Sequence, residues 1–184
     1  MKALVIGGKG FIGRHLVEKL FQEKWEVVAI DPDPSEEKEI EGVRYHIMGI
    51  EDFRVQEVLQ KQRPDVVFHL AGPIGLRDPN KNTLEKMKYV PSLLEGTINL
   101  LGIASSVGVR KLIFSSSTAV YGNAKNLPIK EDDPLQPVNL YGIMMLFFER
   151  LLQDYKVVPV TILRMSNVYG PGQWDNTIRN YVED

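Results

Sequence analysis

Met1-Lys2-Ala3-Leu4-Val5-Ile6-Gly7-Gly8-Lys9-Gly10-Phe11-Ile12-Gly13 opens the chain, and how this stretch is read decides the rest. Its first six residues are a short apolar run that forms a strand when buried, and the glycines end it at once. Residues 11–23 then read as a helix. The three glycines spaced three apart have separate duties: Gly7 makes the tight turn, Gly10 lets backbone approach a phosphate group, and Gly13 allows close helix–strand packing. A helix beginning there offers unpaired N–H groups and a partial positive charge to an anion. Asp31 ends the next apolar run, 18 residues after Gly13, where a carboxylate can accept hydrogen bonds from a ribose diol.

The rest of the chain agrees with a repeated strand–helix plan. Short β-branched runs at 2–6, 26–30, 43–47, 65–70, 110–115 and 158–163 alternate with amphipathic stretches at 11–23, 53–62, 82–106 and 139–155. Such alternation feeds a parallel sheet covered on both faces, and the strands are accordingly almost entirely apolar. The expected fold is α/β, a Rossmann-like doubly wound parallel sheet with strand order 3-2-1-4-5-6. Residues 122–138, with Gly122, Pro128, Pro134 and Pro137 among acidic neighbours, read as an exposed loop.

Composition narrows the function. The 184 residues allow one sizeable core. A net charge of -2, with 22 basic residues scattered among 24 acidic ones, argues against a nucleic-acid partner. The absence of cysteine excludes disulfides, thiolate metal sites and cysteine nucleophiles, and fits a reducing compartment. No apolar run approaches the ~20 residues of a membrane span, and the N-terminus lacks a signal-peptide core, so the expectation is a cytoplasmic protein without a membrane partner. The glycine turn with Asp31 implies a nicotinamide dinucleotide. Asp31 would repel a 2′-phosphate and so favours NAD, whereas Lys9 within the turn, or Arg14 just after it, could supply the cation that NADP needs.

Further landmarks make the sequence resemble the extended short-chain dehydrogenase/reductase family, in particular its NAD-dependent nucleotide-sugar epimerases and dehydratases. They are the Gly7/Gly10/Gly13 turn, His69-Leu70-Ala71-Gly72 at the end of the fourth strand, Ser115-Ser116-Ser117-Thr118-Ala119-Val120-Tyr121-Gly122, and Leu163-Arg164-Met165-Ser166-Asn167-Val168-Tyr169-Gly170-Pro171-Gly172-Gln173. The resemblance implies cofactor contacts at Gly7, Gly10, Phe11, Ile12, Gly13, Asp31, Leu70, Ala71, Gly72, Ser115 and Tyr141. It places the catalytic hydroxyls on Ser117 and Tyr141, and substrate contacts on Ser117 and Asn167. The implied chemistry is oxidation or reduction of a sugar-nucleotide by hydride transfer. His69 itself reads as a half-buried, hydrogen-bonded strand-end residue rather than a catalytic one.

Three departures bear on activity. The family pairs its tyrosine with a lysine four residues on, because a free phenol, with a pKa of about 10, serves as a base near neutrality only when a cation stabilises its anion. Here that position is Met145, on the same helical face as Tyr141, and a thioether carries no charge. Nearby, Leu93 and Ile50 stand where the family shows Asn and Asp, with Asp52 as a possible substitute for the latter.

The family also continues well beyond this segment into a smaller substrate lobe. The expected organisation is therefore an NAD(P)-binding domain over 1–173 and the start of a mostly missing lobe over 174–184. Activity is expected to be impaired by Met145 and by the short lobe, the other reading being an inactive NAD-binding module that regulates or stabilises a partner. An apolar patch is expected around Tyr169 to Trp174, and a homodimer is expected to pack through the helices at 82–106 and 139–155.

Overall fold

The computed structural model describes residues 1–72, 85, 87–124, 127–156 and 158–173. Six strands run parallel in one sheet: β1 (Lys2–Ile6), β2 (Glu26–Asp31), β3 (Arg44–Ile47), β4 (Val66–His69), β5 (Lys111–Ser117) and β6 (Val160–Met165). Their spatial order is β3-β2-β1-β4-β5-β6, the doubly wound Rossmann-like arrangement expected from the sequence. Among the described residues the longer helices are α1 (Phe11–Gln22), α2 (Arg54–Gln62), α3 (Val90–Ala104) and α4 (Leu140–Tyr155).

Alternation along the strands assigns the two faces. Ala3, Val5, Val27 and Ala29 point to one side and pack beneath Val17 and Leu20 of α1. The alanines keep this layer thin, so the helix sits close to the sheet. Leu4, Ile6, Val28 and Ile30 point to the other side, joining Leu59 of α2, Leu100 of α3 and Phe148 of α4 in the larger cluster. Burying each such leucine, isoleucine or phenylalanine stabilises the fold by about 1.5–3 kcal/mol. The central strands are thus apolar on both faces. The outer two are less covered: Ile47 of β3 is 43% exposed and Leu163 of β6 is 44% exposed.

Helix α3 differs most from expectation. The expected single stretch is broken: Glu85 and Met87 are helical, Lys88 and Tyr89 form a turn, and α3 begins at Val90. Pro91 accounts for that start, because proline fits the first turn of a helix, where its missing N–H would have no partner anyway. Residues 82–84 and 86 lie outside the described set. Helix α4 begins where the sequence places it: Asn139 Oδ1 accepts the N–H of Gly142 at 2.8 Å, a side-chain cap on the first turn. The described part of the 122–138 loop carries no helix or strand.

Register brings the C-terminal ends of the strands to one edge. Ile6 lies opposite Ile30 on one side and His69 on the other, so the connections after β1 and β4 emerge together where the winding reverses. That crevice is where ligands bind in open α/β sheets.

Candidate functional site

The turn between β1 and α1 is held from below. Gly7 and Gly8 donate their N–H groups to the Ile30 carbonyl at 2.8 and 3.2 Å. Gly7 has φ +84°, a left-handed conformation that a side chain would strain, and a Cβ there would lie 2.9 Å from the Ala71 nitrogen. Leu70 and Ala71 therefore run against the turn. A Cβ on Gly13 would stand 1.9 Å from the Gly7 carbonyl oxygen, so only glycine lets α1 start this close to the strand.

Gly10 is different. Among the described residues a Cβ there would meet nothing within 4 Å except the Gly7 oxygen at 3.3 Å. Among the same residues the space beyond Gly10 is open, and no side chain caps α1 or places a carboxylate in its first turn. The first-turn N–H groups, including those of Phe11, Ile12 and Gly13, have no acceptor within the helix, and the helix dipole adds partial positive charge. These features fit a diphosphate.

Asp31 closes the other end of this cradle. It is 8% exposed, with Oδ2 accepting the Lys9 N–H at 2.9 Å and Oδ1 accepting the Asp33 N–H at 3.0 Å. Two backbone donors fix the carboxylate while leaving lone pairs for hydroxyl donors. Neither cation considered for a 2′-phosphate is unengaged: Lys9 Nζ is paired with Glu39 at 2.6 Å, and Arg14 Nη2 donates to the Pro171 carbonyl at 3.0 Å. His15 Nε2 lies 3.1 Å from the same carbonyl, so the 170–173 turn is anchored to α1 beside the glycine turn. Asn167, just before it, is exposed, as are Val168 and Tyr169. Trp174 lies outside the described residues.

The second half of the site gathers at the end of β5. Ser117 is 7% exposed and its Oγ accepts the Ala119 N–H at 3.2 Å, capping the 3-10 turn Thr118–Tyr121. That bond leaves the hydroxyl proton unspent. A Cβ on Gly142 would meet the Ala119 carbonyl at 2.5 Å, so the start of α4 lies directly on this turn, bringing Tyr141 to the same corner as Ser117. Ser115 is on the same sheet face as Ser117, two residues back. Tyr141 is half-buried, and Met145, one helical turn on, is 2% exposed in the apolar cluster with Phe114 and Phe148. No cation stands at that position.

A polar network that the sequence reading did not anticipate lies just beyond. Glu149 is 1% exposed, accepts a hydrogen bond from Ser116 Oγ, and pairs with Arg164, whose Nη2 donates at 2.9 Å. Arg164 Nη1 also donates to the Tyr121 hydroxyl and the Glu131 carbonyl, each at 2.7 Å. This network ties β5, β6, α4 and the 3-10 turn together behind Ser117. The signal was a lone carboxylate inside the apolar run Leu146–Leu152 and a lone guanidinium inside β6, charges that must pair if the face is buried.

His69 is fully buried. Thr97 donates its hydroxyl to the Leu93 carbonyl, so His69 Nε2–H donates to Thr97 Oγ1 at 2.9 Å, while Nδ1 has no partner. Burial lowers its pKa from 6.5 to about 4. The half-buried position expected for it is thus corrected, and its neutral ring packs edge-on against Phe114. Asp52 pairs with Arg54, whose hydrogen bond to the carboxylate lowers the Asp52 pKa to about 2, and Ile50 is buried against Gly96. Among the described residues no cluster of side chains could hold a metal ion, and no helix is long and apolar enough to cross a membrane.

A doubly wound sheet, a glycine turn at its switch point and a carboxylate at the end of β2 define a dinucleotide-binding protein. The chain belongs to the NAD dependent epimerase/dehydratase family, whose model matches residues 3–183. It is 36% identical over 176 residues to the UDP-glucose 4-epimerase of Lactobacillus helveticus, covering 92% of this chain and 52% of that protein. To a putative UDP-glucose 4-epimerase of Methanocaldococcus jannaschii it is 33% identical, covering 92% and 57%. Among solved structures, the UDP-glucose 4-epimerase of Thermus thermophilus in complex with NAD superposes with TM-score 0.81 and 31% identity, covering 96% of this chain and 58% of that one. The Thermotoga maritima UDP-glucose 4-epimerase with UDP-glucose gives TM-score 0.81 and 31% identity, covering 93% and 57%. The chain thus spans about half the length of the curated relatives it matches.

Proposed function

We propose that residues 1–173 bind NAD and belong to a protein that acts on a nucleotide-sugar by hydride transfer. The observation that carries this reading is the open, uncapped N-terminus of α1 at Gly10, with the fixed Asp31 carboxylate beside it. Gly7, Gly10, Phe11, Ile12 and Gly13 would hold the diphosphate, Asp31 the adenosine ribose, and Leu70, Ala71 and Gly72 would line the other wall. When bound, NAD supplies the hydride acceptor. The Ser117 hydroxyl would hydrogen-bond the reacting sugar hydroxyl, Tyr141 would carry its proton at the phenolic oxygen, and Asn167 would contact the nucleotide-sugar.

Met145 limits that chemistry. Met145 is buried and uncharged, so this position supplies none of the charge that the family's lysine gives its tyrosine, a charge that underlies much of the ~10²–10⁴-fold contributed by general acid–base catalysis. Turnover would accordingly be impaired. The same observation favours a second reading, in which the chain binds NAD without turnover and regulates or stabilises a partner. Incubation with NAD and UDP-hexoses, followed by the absorbance of reduced nicotinamide, separates the two. Slow substrate-dependent reduction supports the first, and tight NAD binding with no reduction supports the second.

A homodimer through α3 and α4 is part of this proposal. Ile98 on α3 and Ile143 and Phe147 on α4 are exposed, at 43%, 51% and 45%. Sedimentation that gives a monomer at all accessible concentrations would exclude it.

A further inference from the structure

Lys9 is the only cation between Gly7 and Gly13, and its side chain is fully buried. A lysine in that state needs a partner, because an uncompensated buried charge is strongly unfavourable. The loop after Asp31 supplies it: Nζ pairs with Glu39 at 2.6 Å, donates to the Ser35 carbonyl at 3.1 Å, and lies 5.4 Å from the centre of the Tyr45 ring. The backbone N–H of the same residue holds Asp31 Oδ2. Lys9 therefore begins at the ribose carboxylate and ends in the loop behind it.

The surrounding charge is lopsided. Between Asp31 and Glu41 the sequence carries six carboxylates, at 31, 33, 36, 37, 39 and 41, against a single lysine, Lys38. Lys38 is paired with Asp33, whose carboxyl is held well below the usual range chiefly by that hydrogen bond. Both lysines are thus matched to carboxylates of this loop, and the excess of negative charge stands beside the ribose.

Resting on the reading of this turn as an NAD site, we propose that Lys9 and Glu39 form a cofactor-selectivity latch. Glu39 neutralises and holds back the ammonium of the glycine turn, so that Asp31 and its acidic loop reject NADP. Removing the Glu39 charge while keeping its hydrogen-bonding shape leaves that ammonium unneutralised. Ser35 and Tyr45 still hold the lysine in the pocket, so its charge stays near the ribose.

The test is calorimetric titration of the whole chain with NAD and with NADP, with each variant's thermal midpoint recorded. In Glu39→Gln the NADP-to-NAD affinity ratio should rise about tenfold, the order expected for one uncompensated charge at short, partly solvated range. Adding Lys9→Gln to Glu39→Gln should return the ratio to the wild-type value. A ratio unchanged in Glu39→Gln overturns the latch, as does an equal rise in single and double variants, which would assign the effect to carboxylate repulsion alone. Should the variants not fold, the wild-type protein decides: ADP-ribose should bind at least about tenfold more tightly than its 2′-phosphorylated counterpart, and equal binding overturns the proposal. Wild-type protein that binds neither dinucleotide refutes the NAD reading itself, a result distinct from NAD binding with an unmoved ratio.

Discussion

Alanine at Gly13 and at Gly10, three residues apart, should fail in opposite ways. At Gly13 the new methyl would lie 1.9 Å from the Gly7 carbonyl oxygen and 3.0 Å from the Gly8 Cα, both backbone atoms that no rotamer change can move. Reaching ordinary contact requires α1 to shift by roughly 1.5 Å from the end of β1, an overpacking that typically costs about 1–3 kcal/mol. Alanine recovers up to about 1 kcal/mol of helix propensity, so the net loss should be about 1 kcal/mol. For a chain of this size the midpoint should fall by about 2–4 °C. At Gly10 the backbone has φ -64° and ψ 167°, which alanine adopts freely, and the methyl meets only the Gly7 oxygen at 3.3 Å. Stability should change by less than about 0.5 kcal/mol, yet the methyl occupies the approach to the helix N-terminus, and NAD affinity should fall at least about tenfold. Thermal denaturation and calorimetry on both variants check the pair. A Gly13→Ala protein as stable as wild type would refute the packing argument, and a Gly10→Ala protein that binds NAD normally would refute the phosphate cradle.

Met145→Lys should raise turnover of NAD with a UDP-hexose at least about 100-fold by supplying the missing cation, and an unchanged rate would place the impairment elsewhere. Glu149→Ala, which strands Arg164 and Ser116, should destabilise the protein by about 3 kcal/mol in urea denaturation, the low end for breaking a buried pair. Adding Arg164→Met should recover part of that loss, and strictly additive effects would show the two side chains to be uncoupled. The folded-state pKa of His69 is depressed from 6.5 to about 4, so as pH falls through this window the unfolded chain takes up the proton and the folded one does not. Stability should drop between pH 6.5 and 4 by up to about 3 kcal/mol from this group, and His69→Gln should flatten that part of the profile relative to wild type.

The fold was readable because its signals are local. β1, the glycine turn and Asp31 each follow from a few adjacent residues, and the parallel order follows from the way strands and helices alternate. The catalytic corner was readable only in part. The spacing of Tyr141 and Met145 placed both on one helical face, but only the packing of Gly142 on Ala119 shows how that helix meets Ser117. Which charges pair over long range was not readable: Glu149 meets Arg164 across 15 residues and Lys9 meets Glu39 across 30. The apolar neighbours of Glu149 and Arg164 signal that each needs a partner but do not say which, and Lys9 and Glu39, taken alone, read as surface charges. The start of α3 is obscured for a different reason, since the amphipathic run continues through Lys88 and Tyr89 while Pro91 fixes where the helix begins.

Thermal denaturation with and without NAD tests the central claim most directly. Ligand at 100 times its dissociation constant should add about 2.7 kcal/mol of stability, raising the midpoint by roughly 5–10 °C, with NADP giving a clearly smaller rise. A midpoint that does not move at millimolar NAD would contradict the assignment of the Gly7–Gly13 turn and Asp31 as a dinucleotide site.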